Sequence, residues 1–305
     1  MALDFAIYDV FTDHSLAGNP LAVVFDADAL SDDAMAAIAR QFNLSETIFF
    51  KASENRSQTA TARIFTPGGE LPFAGHPTVG GAIALAERNR EGDAAVDMVS
   101  VLAEKVGPVR CAVKLRPGKT SFAEFDLPQL SRQARETLDR AKLAEMLGLE
   151  PAMIGFENHV PTLWSAGVPF ICIPVTNLRT MEAIDFDTRV WRSIAPLVDG
   201  RLASPYIYTR GGVRHDSSFH ARMFSGDMGI AEDPATGSAA AAFSGAIHHF
   251  DQLGDGHHAV LIEQGVEMGR PSYIHLHIDV ESGAISGARI GGFAACTMRG
   301  TFLAA

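Results

Sequence analysis

The chain has 305 residues, 47% of them hydrophobic, with 25 Lys plus Arg against 36 Asp plus Glu and a formal net charge of −11. That length suits two domains of roughly 125 to 175 residues, each able to bury its own core; the acidic balance argues against a nucleic-acid partner, which would want a basic face. The N-terminal MALDFAIYDVF has no basic region ahead of a long apolar core, and no window reaches the roughly 18 apolar residues of a membrane span, so a soluble, cytoplasmic protein is expected.

In chain order, residues 5–11, 21–25, 47–51, 61–65, 96–102, 109–115 and 121–126 read as strands from their β-branched and aromatic content. Residues 32–42 read as a helix, with Ser31 as N-cap and Met35, Ile38, Ala39 and Phe42 on one face. Residues 78–87 are apolar and small, which suits a central helix with a sheet rolled about it. The polar run QLSRQARETLDR (129–140) marks a boundary and leads into a connecting helix that ends near Gly148. The second half repeats the plan, with strands at 164–166, 170–175, 203–208, 218–223, 260–264 and 273–280 and a buried helix at 239–250. The expected organisation is α+β in two domains, residues 1–125 and 126–305, with the final strand compatible with either. Cys111, Cys172 and Cys296 are odd in number, scattered and flanked by apolar residues, which predicts buried structural thiols in a reducing compartment.

The two halves share more than a plan. ARIFT (62–66) and ARMFS (221–225) are each followed by a Gly-rich turn and then by E-x-P-x-x-G, as Glu70-Pro72-Gly75 and as Glu232-Pro234-Gly237. His76 follows the first final Gly and Ser238 the second, and each is succeeded by a small-residue helix. Upstream, GNPLAVV (18–24) is echoed by GVPFICI (167–173). Two matches in the same order indicate a duplicated domain.

In each repeat loop a Gly followed by a polar residue opens a helix, so backbone N–H groups and the positive end of the helix dipole form an anion receptor. Two such receptors are expected to face each other across the cleft between the domains. A second signal is Glu46, in NLSETIFF (43–50). If residues 44–50 are extended, Leu44, Glu46, Ile48 and Phe50 share one side, and a carboxylate in an apolar row has the raised pKa that a proton-transfer residue needs. The corresponding strand of the second half, SPYIYT (204–209), offers no acid.

GNPLAVV, NLSETIFF, FTPGGELPFAGHPTVG and EDPATGSAAAAF together resemble the phenazine-biosynthesis F-type (PhzF-like) isomerase family, over essentially the whole chain. The resemblance implies a diaminopimelate-epimerase-like fold of two pseudo-symmetric domains, each a barrel-like, mostly antiparallel sheet around a central helix. It also implies a homodimer, a small carboxylate substrate and no metal or organic cofactor. Carried over by motif, Glu46 is the proton-shuttling acid/base, His76 and Asp233 assist binding and proton transfer, and Gly75, Gly237 and Ser238 bind the substrate's anionic group.

Related epimerases and racemases use one cysteine in each repeat loop, whereas the loops here, LPFAGHP and EDPATGS, contain none. Inversion of a stereocentre needs an acid and a base on opposite faces; a single acid can move a proton between carbons along a conjugated system on one face. The implied activity is therefore isomerisation of a substrate like trans-2,3-dihydro-3-hydroxyanthranilate. A racemase pairing Glu46 with Asp233 or His76, and a non-catalytic binding protein, are the alternatives. His275 and His277 share a strand face near His257 and His258, but no Cys or HExxH pattern accompanies them, so a metal site is not expected.

Overall fold

The computed structural model describes residues 2–226 and 231–303. The elements follow in chain order. β1 (Ala2–Val10), β2 (Asn19–Val24), α1 (Asp32–Phe42), β3 (Glu46–Lys51), β4 (Ala60–Thr66) and β5 (Gly69–Leu71) lead to α2 (Gly75–Arg88), then β6 (Val96–Glu104), β7 (Gly107–Leu115) and β8 (Ser121–Asp126). β9 (Arg132–Ala134), α3 (Arg140–Leu147), β10 (Thr162–Ser165), β11 (Pro169–Pro174), α4 (Leu178–Glu182), α5 (Thr188–Ile194) and the short pair β12 (Leu197–Val198) and β13 (Arg201–Leu202) follow. β14 (Ser204–Arg210), β15 (Phe219–Phe224), β16 (Glu232–Asp233), α6 (Gly237–Asp251), β17 (Gly256–Gln264), β18 (Ser272–Glu281) and β19 (Ala284–Leu303) complete the described chain. It divides into two compact units, Met1–Pro128 with Gly291–Ala305, and Gln129–Ile290.

In the first unit the strand pairings close on themselves. β1 pairs β2 antiparallel, β2 pairs β3 in parallel, β3 pairs β4 antiparallel and β4 pairs β6 in parallel. β6, β7 and β8 form an antiparallel meander, β8 pairs β19, and β19 returns antiparallel to β1. The result is a barrel with no free edge. Its interior is filled by α2, which packs against β1, β2, β3, β6, β7 and β8; Gly75 to Ala86 are buried without interruption. A helix buried all round must be apolar and narrow, which explains its small side chains. Gly80 and Gly81 are where the helix comes closest to the wall: a Cβ on Gly80 would lie 2.5 Å from Val10 Cγ2 and 2.7 Å from Leu21 Cδ2, and one on Gly81 2.8 Å from Ile48 Cδ1.

The second unit repeats the order of pairings. β10–β11 is antiparallel, β11–β14 parallel, β14–β15 antiparallel, β15–β17 parallel and β17–β18 antiparallel. α6 is its buried helix, with Ala239 to Ile247 all inside. The registers align residue by residue. Leu21 faces Glu46 across β2–β3 as Phe170 faces Ser204 across β11–β14, and Phe65 faces Glu70 as Phe224 faces Glu232.

Most predicted elements lie where expected, with shifted ends. α1 starts after Ser31, whose Oγ accepts from Ala34 N at 3.2 Å, and α3 ends at Gly148 with φ +64. Both central helices begin earlier than predicted, at Gly75 and Gly237, so the repeat-loop residues are themselves helical. Leu44 lies outside β3, and the extended row starts at Glu46. Cys111 and Cys172 are buried thiols, but Cys296 is only half-buried, because it lies where β19 shifts register against β1. The glycine-rich turn after ARMFS includes residues 227–230, which lie outside the described residues. β19 reads poorly as a strand because of its glycines, yet they are required by close packing: a Cβ on Gly291 would lie 2.7 Å from Glu124 Cβ, and one on Gly292 2.4 Å from Phe11 Cδ1.

A Gly80→Val variant forces a branched side chain against Val10 and Leu21. We expect it to lower the unfolding free energy by about 1–3 kcal/mol, the usual effect of overpacking, measured by urea denaturation.

Candidate active site

The sequence-predicted residues of the first unit come together at one end of the barrel. Side chains alternate along β3, and Ile48 and Phe50 both press on the Gly81 position of α2; Glu46, on the same side and at the strand's first residue, therefore points at the helix as well. There it meets the first turn of α2: His76 Nε2 lies 3.5 Å from Glu46 Oε2, with the two side chains 5% and 15% exposed. Next to Glu46, Ser45 Oγ donates to Asn19 Oδ1 at 3.0 Å, tying the strand's start to the GNP turn. The contact at 3.5 Å is longer than a good hydrogen bond. Burial pushes the His76 imidazole down to about 3, so it stands neutral beside Glu46.

Helix capping separates α2 and α6 from the other α-helices. α1, α3, α4 and α5 each have a Ser, Asp or Asn side chain accepting from first-turn N–H groups. α2 begins after Ala74 and α6 after Thr236, and neither N-cap side chain makes such a bond. The first-turn amides, at Gly75 and His76 in one unit and at Gly237 and Ser238 in the other, thus receive no hydrogen bond from an N-cap side chain, and the positive end of each helix dipole lies behind them.

In the second unit Asp233 is buried on β16, opposite Met223 of β15. Its Oδ2 accepts from Thr236 Oγ1 at 2.5 Å, and its backbone carbonyl accepts from Gln264 Nε2 at 2.8 Å. Gln264 Nε2 also reaches Thr236 Oγ1 at 3.0 Å. The EDPAT loop is therefore held from β17 as well as from its own strand. Ser238 is half-buried in the first turn of α6.

Sequence reasoning missed the residues that hold the loops. Arg222 Nε and Nη2 donate to the two carboxylate oxygens of Glu232 at 2.7 and 2.9 Å, and Arg63 Nε bonds Glu70 in the first unit in the same place. Each pair clamps the strand to the turn that follows it, with the planar fork that a carboxylate matches. The signal was present, since both copies of the motif carry the Arg in the strand and the Glu that opens E-x-P-x-x-G, although seven residues separate them in the first copy and ten in the second. The histidine group has a local role: His257 stacks on His277 with ring centroids 5.1 Å apart and holds Asp279 at 2.7 Å. Among the described residues no group of three His, Cys, Asp or Glu is placed to hold a metal ion.

A base whose pKa is lowered by folding contributes stability that is full above its unfolded value and is lost as pH falls. Below about pH 6.5 the wild-type protein is therefore expected to lose about 1.4 kcal/mol per pH unit more than a His76→Gln variant. Parallel urea titrations of the two proteins between neutral and acid pH measure this difference.

The family model for phenazine biosynthesis-like proteins matches residues 8–300. An uncharacterized isomerase of Mesorhizobium japonicum is 52% identical over 292 residues, covering 95% of each chain. The trans-2,3-dihydro-3-hydroxyanthranilate isomerase of Pseudomonas aeruginosa is 31% identical, over 97% of this chain and 98% of that one. Among solved structures, a phenazine biosynthesis protein of the PhzF family from Bacillus anthracis superposes with a TM-score of 0.86 at 26% identity, over the full length of both chains. With its barrel, its uncapped central helices and its Glu46–His76 pair in place, the chain belongs to the PhzF-like phenazine biosynthesis family.

Proposed function

We propose that this isomerase-family protein moves a proton on a small cyclic or conjugated carboxylate, of the kind represented by trans-2,3-dihydro-3-hydroxyanthranilate, with Glu46 as the only proton-transferring acid/base and no cofactor. The observation that carries the proposal is the asymmetry of the repeat: Ser204 occupies in the second unit the register position that Glu46 occupies in the first. A racemase needs matched groups on two faces, and a duplicated fold would be the natural source of such a pair. The copy instead carries a hydroxyl.

In this reading the Glu46 carboxylate takes a proton from one carbon of the bound substrate. The electron pair spreads along the conjugated system, and the negative charge that develops is stabilised by first-turn amides of the kind at Gly75/His76 and Gly237/Ser238. The Glu46 carboxyl then returns the proton to another carbon on the same face. Neutral His76 orients Glu46 without competing for its proton, and Asp233, held by Thr236, assists substrate binding and the transfer that Glu46 carries out. The protein is taken to be a cytoplasmic homodimer.

Incubation with dihydro-hydroxyanthranilate in deuterated water should give product with carbon-bound deuterium. Glu46→Gln keeps the shape but not the transferable proton, so turnover should fall by roughly 10²–10⁴-fold, or more, with ligand binding largely kept. Asp233→Asn and His76→Ala should weaken both binding and rate. Wild-type turnover by Glu46→Gln would overturn the single-acid mechanism.

A further inference from the structure

Buried carboxylates outside the proposed proton path are few, and one of them has a counterpart in the duplication. Across the parallel pair β4–β6, Thr61 faces Ala103, and across β15–β17, His220 faces Glu263 and Ala221 faces Gln264. Ala62 and Ala221 open the two copies of the repeated strand motif, so one step further along β6 places Glu104 at the position of Gln264. In the second unit Gln264 holds the loop ahead of α6: its Nε2 donates to the Asp233 carbonyl and to Thr236 Oγ1, and its Oε1 accepts from Thr236 N at 3.3 Å. In the first unit Glu104 Oε1 accepts from Thr78 Oγ1 at 2.7 Å, and the same hydroxyl lies 2.7 Å from the Ala74 carbonyl at the N-cap of α2. The neighbouring residues bind the same loop. Lys105 Nζ lies 3.1 Å from Glu70, and Val106 N donates to the Pro72 carbonyl at 3.1 Å.

We propose that Glu104 is a positioning residue of the first unit that works as a neutral carboxyl, fixing the amides of Gly75 and His76 through Thr78 in the way that Gln264 fixes the loop ahead of α6. The proposal deepens the functional reading above, because those amides are half of its anion receptor. Two observations favour the neutral form. Glu104 is 7% exposed, and its Oε2 is buried with no hydrogen-bond partner among the described residues. An uncompensated buried charge is far costlier than an orphaned neutral oxygen. Its polar surroundings are Thr78 on α2, Cys111 on β7 and, around that thiol, Asp126 on β8; neither acidic neighbour would stabilise a negative charge. Burial accordingly pushes the Glu104 carboxyl up to about 8, against the smaller opposing effect of the Thr78 hydroxyl.

The sign for stability is opposite to that of an ion-paired acid. The folded protein keeps the Glu104 proton between the unfolded value of 4.5 and about 8, so stability falls as pH rises through that window. Urea unfolding of wild type, Glu104→Gln and Glu104→Leu from pH 5 to pH 9 should show wild type losing stability relative to both variants as pH rises to about 8, the shared titrations of His76 and His220 cancelling in the difference. Amide hydrogen exchange at Gly75, His76 and Thr78 at neutral pH should be faster in Glu104→Leu and restored to the wild-type rate in Glu104→Gln. With a turned-over substrate, Glu104→Leu should raise KM by up to about tenfold, the worth of one hydrogen bond, with kcat less affected. Glu104→Gln should retain its KM above pH 8, where that of wild type rises. The unfolding and exchange measurements need no substrate, so absence of turnover would count against the functional reading alone. An unchanged pH slope in Glu104→Gln, or loop exchange as fast in Glu104→Gln as in Glu104→Leu, would overturn the positioning role.

Discussion

Enclosing an α-helix on every side within a ring of strands is the constraint from which the candidate site follows. Inside the first-unit barrel, α2 has no solvent to hydrate its first turn and no side chain at Ala74 to cap it. The first-turn N–H groups therefore have no capping side chain, the condition that the proposed anion receptor requires. The same enclosure accounts for the neutral His76: a ring nitrogen at the mouth of a dry barrel loses the hydration that an imidazolium needs.

Such an arrangement is costly unless the loop ahead of the helix is held rigidly, and the fold holds it twice. The Arg63–Glu70 and Arg222–Glu232 pairs clamp each loop to the strand before it. The ends of β6 and β17 clamp it from the other side, through Glu104, Lys105 and Val106 in one unit and Gln264 in the other. The two clamps leave the loop little freedom, and this suits a receptor that must be organised before charge develops on its ligand.

Duplication explains why the scaffold is repeated, and divergence explains why the chemistry is not. The pairing order, the Arg–Glu clamps and the uncapped helices recur in both units. Glu46 against Ser204, His76 against Ser238 and Glu104 against Gln264 do not. The differences cluster at the residues that can carry or orient a proton, whereas the matched positions hold backbone in place. A fold evolved by doubling can keep the scaffold in both units while the side chains at the mouth of each helix diverge.

Wherever the cause was local, the sequence was sufficient. Period-2 apolar runs located most strands, Ser31 and Gly148 marked helix ends, and the E-x-P-x-x-G copies with GNP and GVP revealed the duplication and the two loops that open the central helices. Glu46, His76 and Asp233 could be singled out as candidates because each sits in a motif. The tertiary structure decided what depends on atoms distant in sequence. A final strand was expected, but the extent and partners of β19 were obscured by glycines that admit Phe11, Phe122 and Glu124 against the backbone. The end of the strand at Glu46 was set by pairing with Leu21, so Leu44 fell outside it. Glu104 sits at a strand end in no motif that marks it, and only closure of the barrel over Thr78 removes it from water. Short-range patterns record propensity and spacing; burial is a property of the closed barrel, and burial is what sets the charge on His76 and Glu104.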